Sequence, residues 1–146
     1  MPGRVTNVYA HSPGGGKYMA IIQFKKTMKS DEGRQRQAGM LAFSAFQELK
    51  HVIIVDDDVD IFDSNDVLWA LNTRYQGNLD TVFIPNVRCH PLDPSASPRY
   101  NPSIPDVGIS CKTIFDCTVP YDARPYFIRS NFKEMDAAKY APELFK

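Results

Sequence analysis

The chain has 146 residues, 17 Lys and Arg against 17 Asp and Glu, 43% hydrophobic residues and 12% aromatics, which fits one folded α/β-sized domain and excludes disorder by composition. At this size roughly 70% of the unfolded surface is buried on folding, enough for a core without disulfide or metal staples. A net charge of zero lacks the footprint of a nucleic-acid binder, and Lys25, Lys26 and Lys29 are too short a basic run to restore it. No apolar stretch approaches the roughly 18 residues of a membrane span, and Met1-Pro2-Gly3-Arg4 is followed by no hydrophobic signal region. Three cysteines, Cys89, Cys111 and Cys117, contain no C-x-x-C pair and read as reduced thiols. A cytoplasmic protein with no nucleic-acid or membrane partner is expected.

Val5 to Tyr9 and Tyr18 to Phe24 are β-rich and are joined by His11-Ser12-Pro13-Gly14-Gly15-Gly16-Lys17, a pliable glycine loop. From Glu32 to Glu48 the apolar Ala38, Leu41, Ala42, Ala45 and Phe46, with Leu49 beyond, recur at steps of three and four, predicting an amphipathic helix. His51-Val52-Ile53-Ile54-Val55 is a continuous β-branched run of the kind buried on both faces, a central parallel strand ending in Asp56-Asp57-Asp58. Asp63-Ser64 caps a second helix with Val67, Leu68 and Leu71 on one face, and Thr81 to Ile84 reads as the next strand, stopped by Pro85. The order ββαβαβ predicts a mixed, mostly parallel sheet flanked by helices in three layers, with its functional edge at the strand C-termini. Pro85 to Asp106 holds Pro91, Pro94, Pro98, Pro102 and Pro105 but only Val87, Leu92 and Ile104 among large aliphatics, so a mobile lid loop is expected. Ser110 to Phe115 reads as one more strand and Asn131 to Tyr140 as a terminal helix.

Three constellations can carry chemistry. Asp56-Asp57-Asp58-Val59-Asp60 with Asp63 offers the oxygens a hard cation wants. As an EF-hand loop starting at Asp56, however, it would place Ile61 and Val67 where Gly and Glu are required. A transferase-like acidic turn stays open beside a structural one, in which the carboxylates cap the following helix and pair with Arg74. Gly14-Gly15-Gly16-Lys17 fails as a phosphate-binding P-loop, because His11 and Tyr18 stand where Gly and Ser or Thr belong. A glycine loop that lets Lys17 reach a ligand remains open beside a plain strand connection. His90 lies directly beyond a strand in the proline-rich segment Asn86 to Pro94, whose restricted backbone limits where His90 and Leu92 can point. Cys89 has no visible base partner, and His11 and His51 read as ordinary structural histidines.

Read together, Val55 to Asp63, Trp69 to Arg74, the Val87 to Ser95 loop and Lys112 to Pro120 resemble, in that order, the C-terminal domain of the UbiD family. The resemblance implies that residues 1–146 form a single domain of an enzyme that adds or removes carboxylate on aromatic and other unsaturated acids. It also implies prenylated FMN, with a divalent metal and K⁺, as the cofactor of the intact enzyme. Lys17 and His90 match the lysine and histidine that recognise phenolic hydroxyls in the hydroxybenzoate, protocatechuate and gallate branch, and Leu92 matches an apolar residue beside the substrate ring. The glutamate, arginine and glutamate of the proton chemistry, the flavin pocket and its metal ligands belong to a portion upstream of this sequence. The chain alone is therefore expected to hold no metal, bind no flavin and carry no catalytic residue. Its expected partners are that upstream cofactor-binding domain, a phenolic acid and further copies in a homo-oligomer. Two other readings stand beside this one: a metal-dependent nucleotide-sugar transferase-like domain using Asp56 to Asp60, and a non-catalytic interaction module.

Overall fold

In the computed structural model, which describes residues 3–130, 137–140 and 143, the β-branched run His51–Asp56 forms the middle strand of a five-stranded sheet. The elements in chain order are β1 (Val5–Ala10), β2 (Met19–Phe24), α1 (Arg34–Ala45), β3 (His51–Asp56), α2 (Ser64–Thr73), β4 (Thr81–Arg88), β5 (Ile109–Cys117) and a last turn of helix, α3 (Ala137–Tyr140). Strand order across the sheet is β1-β2-β3-β5-β4. The central three are parallel, with Met19, His51 and Thr113 in register at one end, and both edge strands are antiparallel.

Alternation along β3 sends Val52 and Ile54 to one face and Ile53 and Val55 to the other. The first pair packs with Ala20, Ile22, Phe24 and Ile114 beneath Ala38 and Phe43 of α1. The second packs with Ile21 and Cys117 beneath Val67 and Ala70 of α2 and the connecting residues Val59 and Ile61. One helix on each face gives the expected three layers, and each enclosed Val or Ile contributes about 1.5–3 kcal/mol.

Four expectations need correction. β4 is not a further parallel strand but an antiparallel edge beside β5. Pro85 does not stop it, because an edge strand has one side free of ladder bonds, and the chain passes Pro85 through a bulge with Asn86 at φ 58°. The buried stripe of α1 is Gln35, Ala38, Gly39 and Phe43, whereas Leu41 is 59% exposed. The small residues decide the helix's rotation, since a Cβ on Gly39 would lie 2.8 Å from Ile114 Cδ1. Finally, the Pro85–Asp106 segment is better anchored than its aliphatic content implied. Its first four residues belong to β4, Cys89, Asp93 and Ala96 are buried, and backbone bonds join Cys89 to Gly108 and Gly108 to Ala96. Of the helix expected over Asn131 to Tyr140, residues 131–136 lie outside the described residues.

Candidate functional site

Lys17 sits in the β1–β2 loop, immediately before the N-terminal end of β2. Ser12–Gly14 forms one tight turn, and Gly15 and Gly16 then take left-handed backbone angles that turn the chain toward Lys17. The backbone N–H groups from Gly14 to Tyr18 all donate to carbonyls of His11, Ser12 or Gly14. The glycine run and Lys17 thus have no N–H left to form the backbone cradle that a phosphate needs.

His90 reaches the same place from β4. Because β4 runs antiparallel, its C-terminal end lies beside the N-terminal ends of β2, β3 and β5, so the Lys17–His90 site occupies the end of the parallel strands opposite to the one expected. The imidazole is 11% exposed and meets Tyr18 edge to face, with ring centroids 5.7 Å apart. Its Nδ1 accepts the backbone N–H of Leu92 at 3.1 Å. That bond requires a lone pair on Nδ1 and places the proton of the neutral ring on Nε2. Leu92 itself projects into solvent, 78% exposed.

Glu48, which sequence reasoning passed over, joins the two. Its Oε2 lies 3.7 Å from Lys17 Nζ and its Oε1 lies 3.7 Å from His90 Nε2. The turn carrying Glu48 is fixed by its backbone. Lys112, 5% exposed and 5.1 Å over the Phe43 ring, donates its ammonium to the carbonyls of Gln47 (2.6 Å) and Leu49, and Cys89 Sγ donates to the carbonyl of Glu48 at 3.4 Å. Burial pushes the Lys112 ammonium below its ordinary 10.5. A glutamate just past a helix end carries no sequence signal distinguishing it from any solvated charge; only the meeting of three loops reveals it.

Next to this trio, Lys50 pairs with Asp93 at 2.7 Å. Burial, helped by the Lys50 charge, lowers the pKa of His51 against an opposing pull from Asp93. A mainly apolar groove of about 540 Å³ opens on the α2 face between Ile21, Ile53, Leu68, Leu71 and Phe115. It borders Tyr18 and Pro94, but Lys17, His90 and Leu92 do not line it.

The acidic turn lies at the other end of the sheet, some five residues or ~17 Å along β3. Arg74 bonds Asp56 at 3.0 Å and grips Asp58 through both nitrogens at 2.7 and 2.6 Å. Asp57 is not an Arg74 partner; it pairs with Arg124 at 2.8 Å and Lys25 at 3.2 Å. Asp63 caps α2 by accepting the Asn65 N–H, and Asp66 holds Arg129 at 3.0 Å. Arg124 and Arg129 were missed because they lie beyond any recognisable element. Burial raises the pKa of Asp56 despite the Val119 N–H and its arginines, while the Arg74 hydrogen bond lowers that of Asp58. Among the described residues, no three His, Cys, Asp or Glu side chains converge as metal ligands, and no helix is long and apolar enough to cross a membrane.

Residues 1–117 match the family model of the 3-octaprenyl-4-hydroxybenzoate carboxy-lyase C-terminal domain. The chain belongs to the UbiD C-terminal domain family. It is 54% identical over 142 residues to gallate decarboxylase of Lactiplantibacillus plantarum, covering 96% of this chain and 29% of that protein. Among solved structures, the apo 3,4-dihydroxybenzoic acid decarboxylase of Enterobacter cloacae superposes with a TM-score of 0.87 at 55% identity, covering 99% of this chain and 30% of that one. The UbiD-class enzyme HmfF of Pelotomaculum thermopropionicum, solved with FMN, superposes with a TM-score of 0.77 at 31% identity, covering 95% of this chain and 29% of the other. An evolved dimeric form of that enzyme carries prFMN. The chain thus spans about 30% of the length of these relatives. They favour the carboxy-lyase reading over the transferase-like one, as does the arginine pairing of Asp56, Asp57 and Asp58.

Proposed function

We propose that residues 1–146 are one domain of a UbiD-type enzyme that reversibly decarboxylates phenolic acids of the hydroxybenzoate, protocatechuate or gallate type, and that this domain recognises the substrate's hydroxyl groups. The observation that carries the reading is the convergence of the Lys17 ammonium and the His90 Nε2–H on one point, the Glu48 carboxylate, from loops more than seventy positions apart in sequence. Two donors at one point suit phenolic oxygens, and charge-assisted bonds from the ammonium are the stronger kind. Leu92, exposed beside them, supplies an apolar contact for the substrate ring. Relatives of similar sequence named for gallate and 3,4-dihydroxybenzoate support this substrate class.

In this reading prenylated FMN supplies the decarboxylation chemistry, and it is held, with its divalent metal and K⁺, by the part of the enzyme outside this chain. Neighbours bearing FMN and prFMN support that assignment. The same outer part, the phenolic acid and further copies of the enzyme are the partners, and three free cysteines accord with a cytoplasmic setting. The test uses the longer enzyme containing this segment. Lys17→Ala or His90→Ala is expected to reduce turnover of hydroxylated benzoates by about 10–100-fold more than that of analogues lacking the hydroxyl. Equal losses on both substrate classes would refute the assignment.

A further inference from the structure

Hydroxyl recognition by Lys17 and His90 leaves one hydrogen-bonding demand unmet. The ammonium has three donors and no acceptor. His90 is fixed in the same sense, since its Nδ1 already accepts the Leu92 N–H and its proton lies on Nε2. Both groups donate, whereas a phenol must donate as well as accept. A hydroxyl facing only donors would enter the site with its own hydrogen unpaired.

We propose that Glu48 is the missing acceptor: its carboxylate receives the O–H hydrogen of the substrate hydroxyl whose oxygen Lys17 and His90 hold, and so separates free phenols from their methyl ethers. The inference rests on the recognition reading above and adds to it a residue that neither sequence nor resemblance singled out. Both Glu48 contacts are 3.7 Å, beyond the roughly 2.7–2.9 Å of a made charge-assisted bond, so the carboxylate oxygens retain free lone pairs. Among the described residues no donor forms a hydrogen bond with that carboxylate. The backbone that carries it is held in place. The carbonyls of Gln47, Glu48 and Leu49 are all bonded, to Lys112 or Cys89, and the Lys50 N–H donates to the carbonyl of Tyr18 at 2.8 Å, tying the Glu48 turn to the residue after Lys17. An anchored backbone leaves only the glutamate's own side-chain torsions to be ordered when a ligand arrives, which lowers the cost of binding. A methyl ether presents no hydrogen to Glu48 and sets a methyl group against a carboxylate, which is desolvated for no return.

The experiment measures competitive inhibition of the full-length, cofactor-loaded enzyme by catechol and by its dimethyl ether, alongside kcat/KM for 3,4-dihydroxybenzoate, in the wild type, Glu48→Gln, Glu48→Ala, Lys17→Ala and His90→Ala. Inhibition is read because it does not require the ether to be turned over. Glu48→Ala is expected to weaken catechol by about 10–100-fold and the ether by less than about threefold. Glu48→Gln keeps an acceptor oxygen in the same volume and is expected to lose less than Glu48→Ala on catechol, which also serves where the alanine variant fails to fold. If Lys17→Ala and His90→Ala discriminate on the hydroxyl while neither Glu48 variant changes the catechol-to-ether ratio, the Glu48 role is overturned and the recognition reading stands. If no variant changes that ratio, both fall.

Discussion

Replacing Arg74 by Met separates the two halves of the acidic turn by their burial. Arg74 and Asp56 are each 3% exposed in their side chains, while Asp58 is 44% exposed. Breaking a buried ion pair from one side costs about 3–5 kcal/mol, because a charge is left without compensation. Asp56 keeps two partners in the variant, the Val119 N–H at 2.8 Å and Arg124 at 3.3 Å, which brings that component down to about 2 kcal/mol. Water rescues Asp58, so losing its bidentate grip adds no more than about 1 kcal/mol. The sum is about 3 kcal/mol; Met fills the volume of the arginine stem but gives up the guanidinium that lies 4.8 Å over the Trp69 ring. Asp57→Asn, at a half-exposed carboxylate shared by Arg124 and Lys25, is expected to cost about 1 kcal/mol. Equilibrium urea unfolding followed by circular dichroism should show a midpoint lowered by roughly 1–2 M in Arg74→Met, given a slope of about 2 kcal/mol/M. There is also a pH signature. The folded pKa of Asp56 already lies above its ordinary 3.8 through burial, and removing Arg74 raises it further. The folded variant then binds a proton more tightly than the unfolded chain, so its stability falls as pH rises from about 4 through that raised value. An Arg74→Met variant no less stable than Asp57→Asn would refute the burial argument.

Asp31 gives the opposite pH dependence. Burial would raise its pKa, but bonds from the Thr27 and Met28 N–H groups and Arg4 bring it from 3.8 down to about 2; its stabilisation is therefore complete above about 4 and is lost as pH falls through 2, which acid titration of the wild type against Asp31→Asn measures. Lys112, lowered from 10.5 by burial, favours the unfolded state at neutral pH. Stability should thus rise as pH climbs from the lowered value toward 10.5, and chemical denaturation at stepped pH should show that rise vanish in Lys112→Met. Hydrogen exchange should find the amides of Cys89, Ala96 and Gly108, which donate to Gly108, Asp93 and Ala96 carbonyls, slower than those of Arg99 and Ser103, whose acceptors are exposed side chains. Equal rates across residues 89–108 would restore the picture of a uniformly loose lid.

What the residues disclosed in advance was whatever depends on neighbours a few positions away. The β-branched run of β3, the Asp63 cap and the glycine turn before Lys17 all came through unchanged in the structure, since a strand buried on both faces, a helix start and a left-handed turn each demand particular side chains locally. Strand direction leaves no such mark. Nothing in Thr81 to Arg88 tells whether it runs with β5 or against it, and the helix-then-strand order argued for parallel pairing. That single reversal moved the Lys17–His90 site to the other end of the sheet. The rotation of α1 was misjudged for a related reason. Leu41 looked like core, but the approach of α1 to Ile114 is limited by the size of Gly39, so the small residues face inward. Glu48, Arg124 and Lys112 were invisible because their importance comes from partners 31 to 67 positions away.

The two ends of the sheet also differ in what they leave available to a ligand. At the C-terminal end, Asp56, Asp57, Asp58 and Asp66 are matched by Arg74, Arg124, Arg129 and Lys25. These contacts lie mostly near 3 Å, so each charge is already satisfied, and a ligand arriving there would have to break a made ion pair before gaining one. At the N-terminal end one carboxylate stands between an ammonium and an imidazole, both at 3.7 Å. Such contacts cost little to rearrange, because no short bond has been formed and Lys17 is half exposed. A small hydroxylated ligand can enter between three polar groups, exchange long contacts for short ones, and leave the supporting backbone of residues 47–50 untouched. The acidic turn drew attention in the sequence by its density of charge, but it is spent on holding β3, α2 and the Pro120–Arg129 segment together. The three scattered residues at the other end keep hydrogen-bonding capacity that the acidic turn has already used, which is what the proposed recognition role needs.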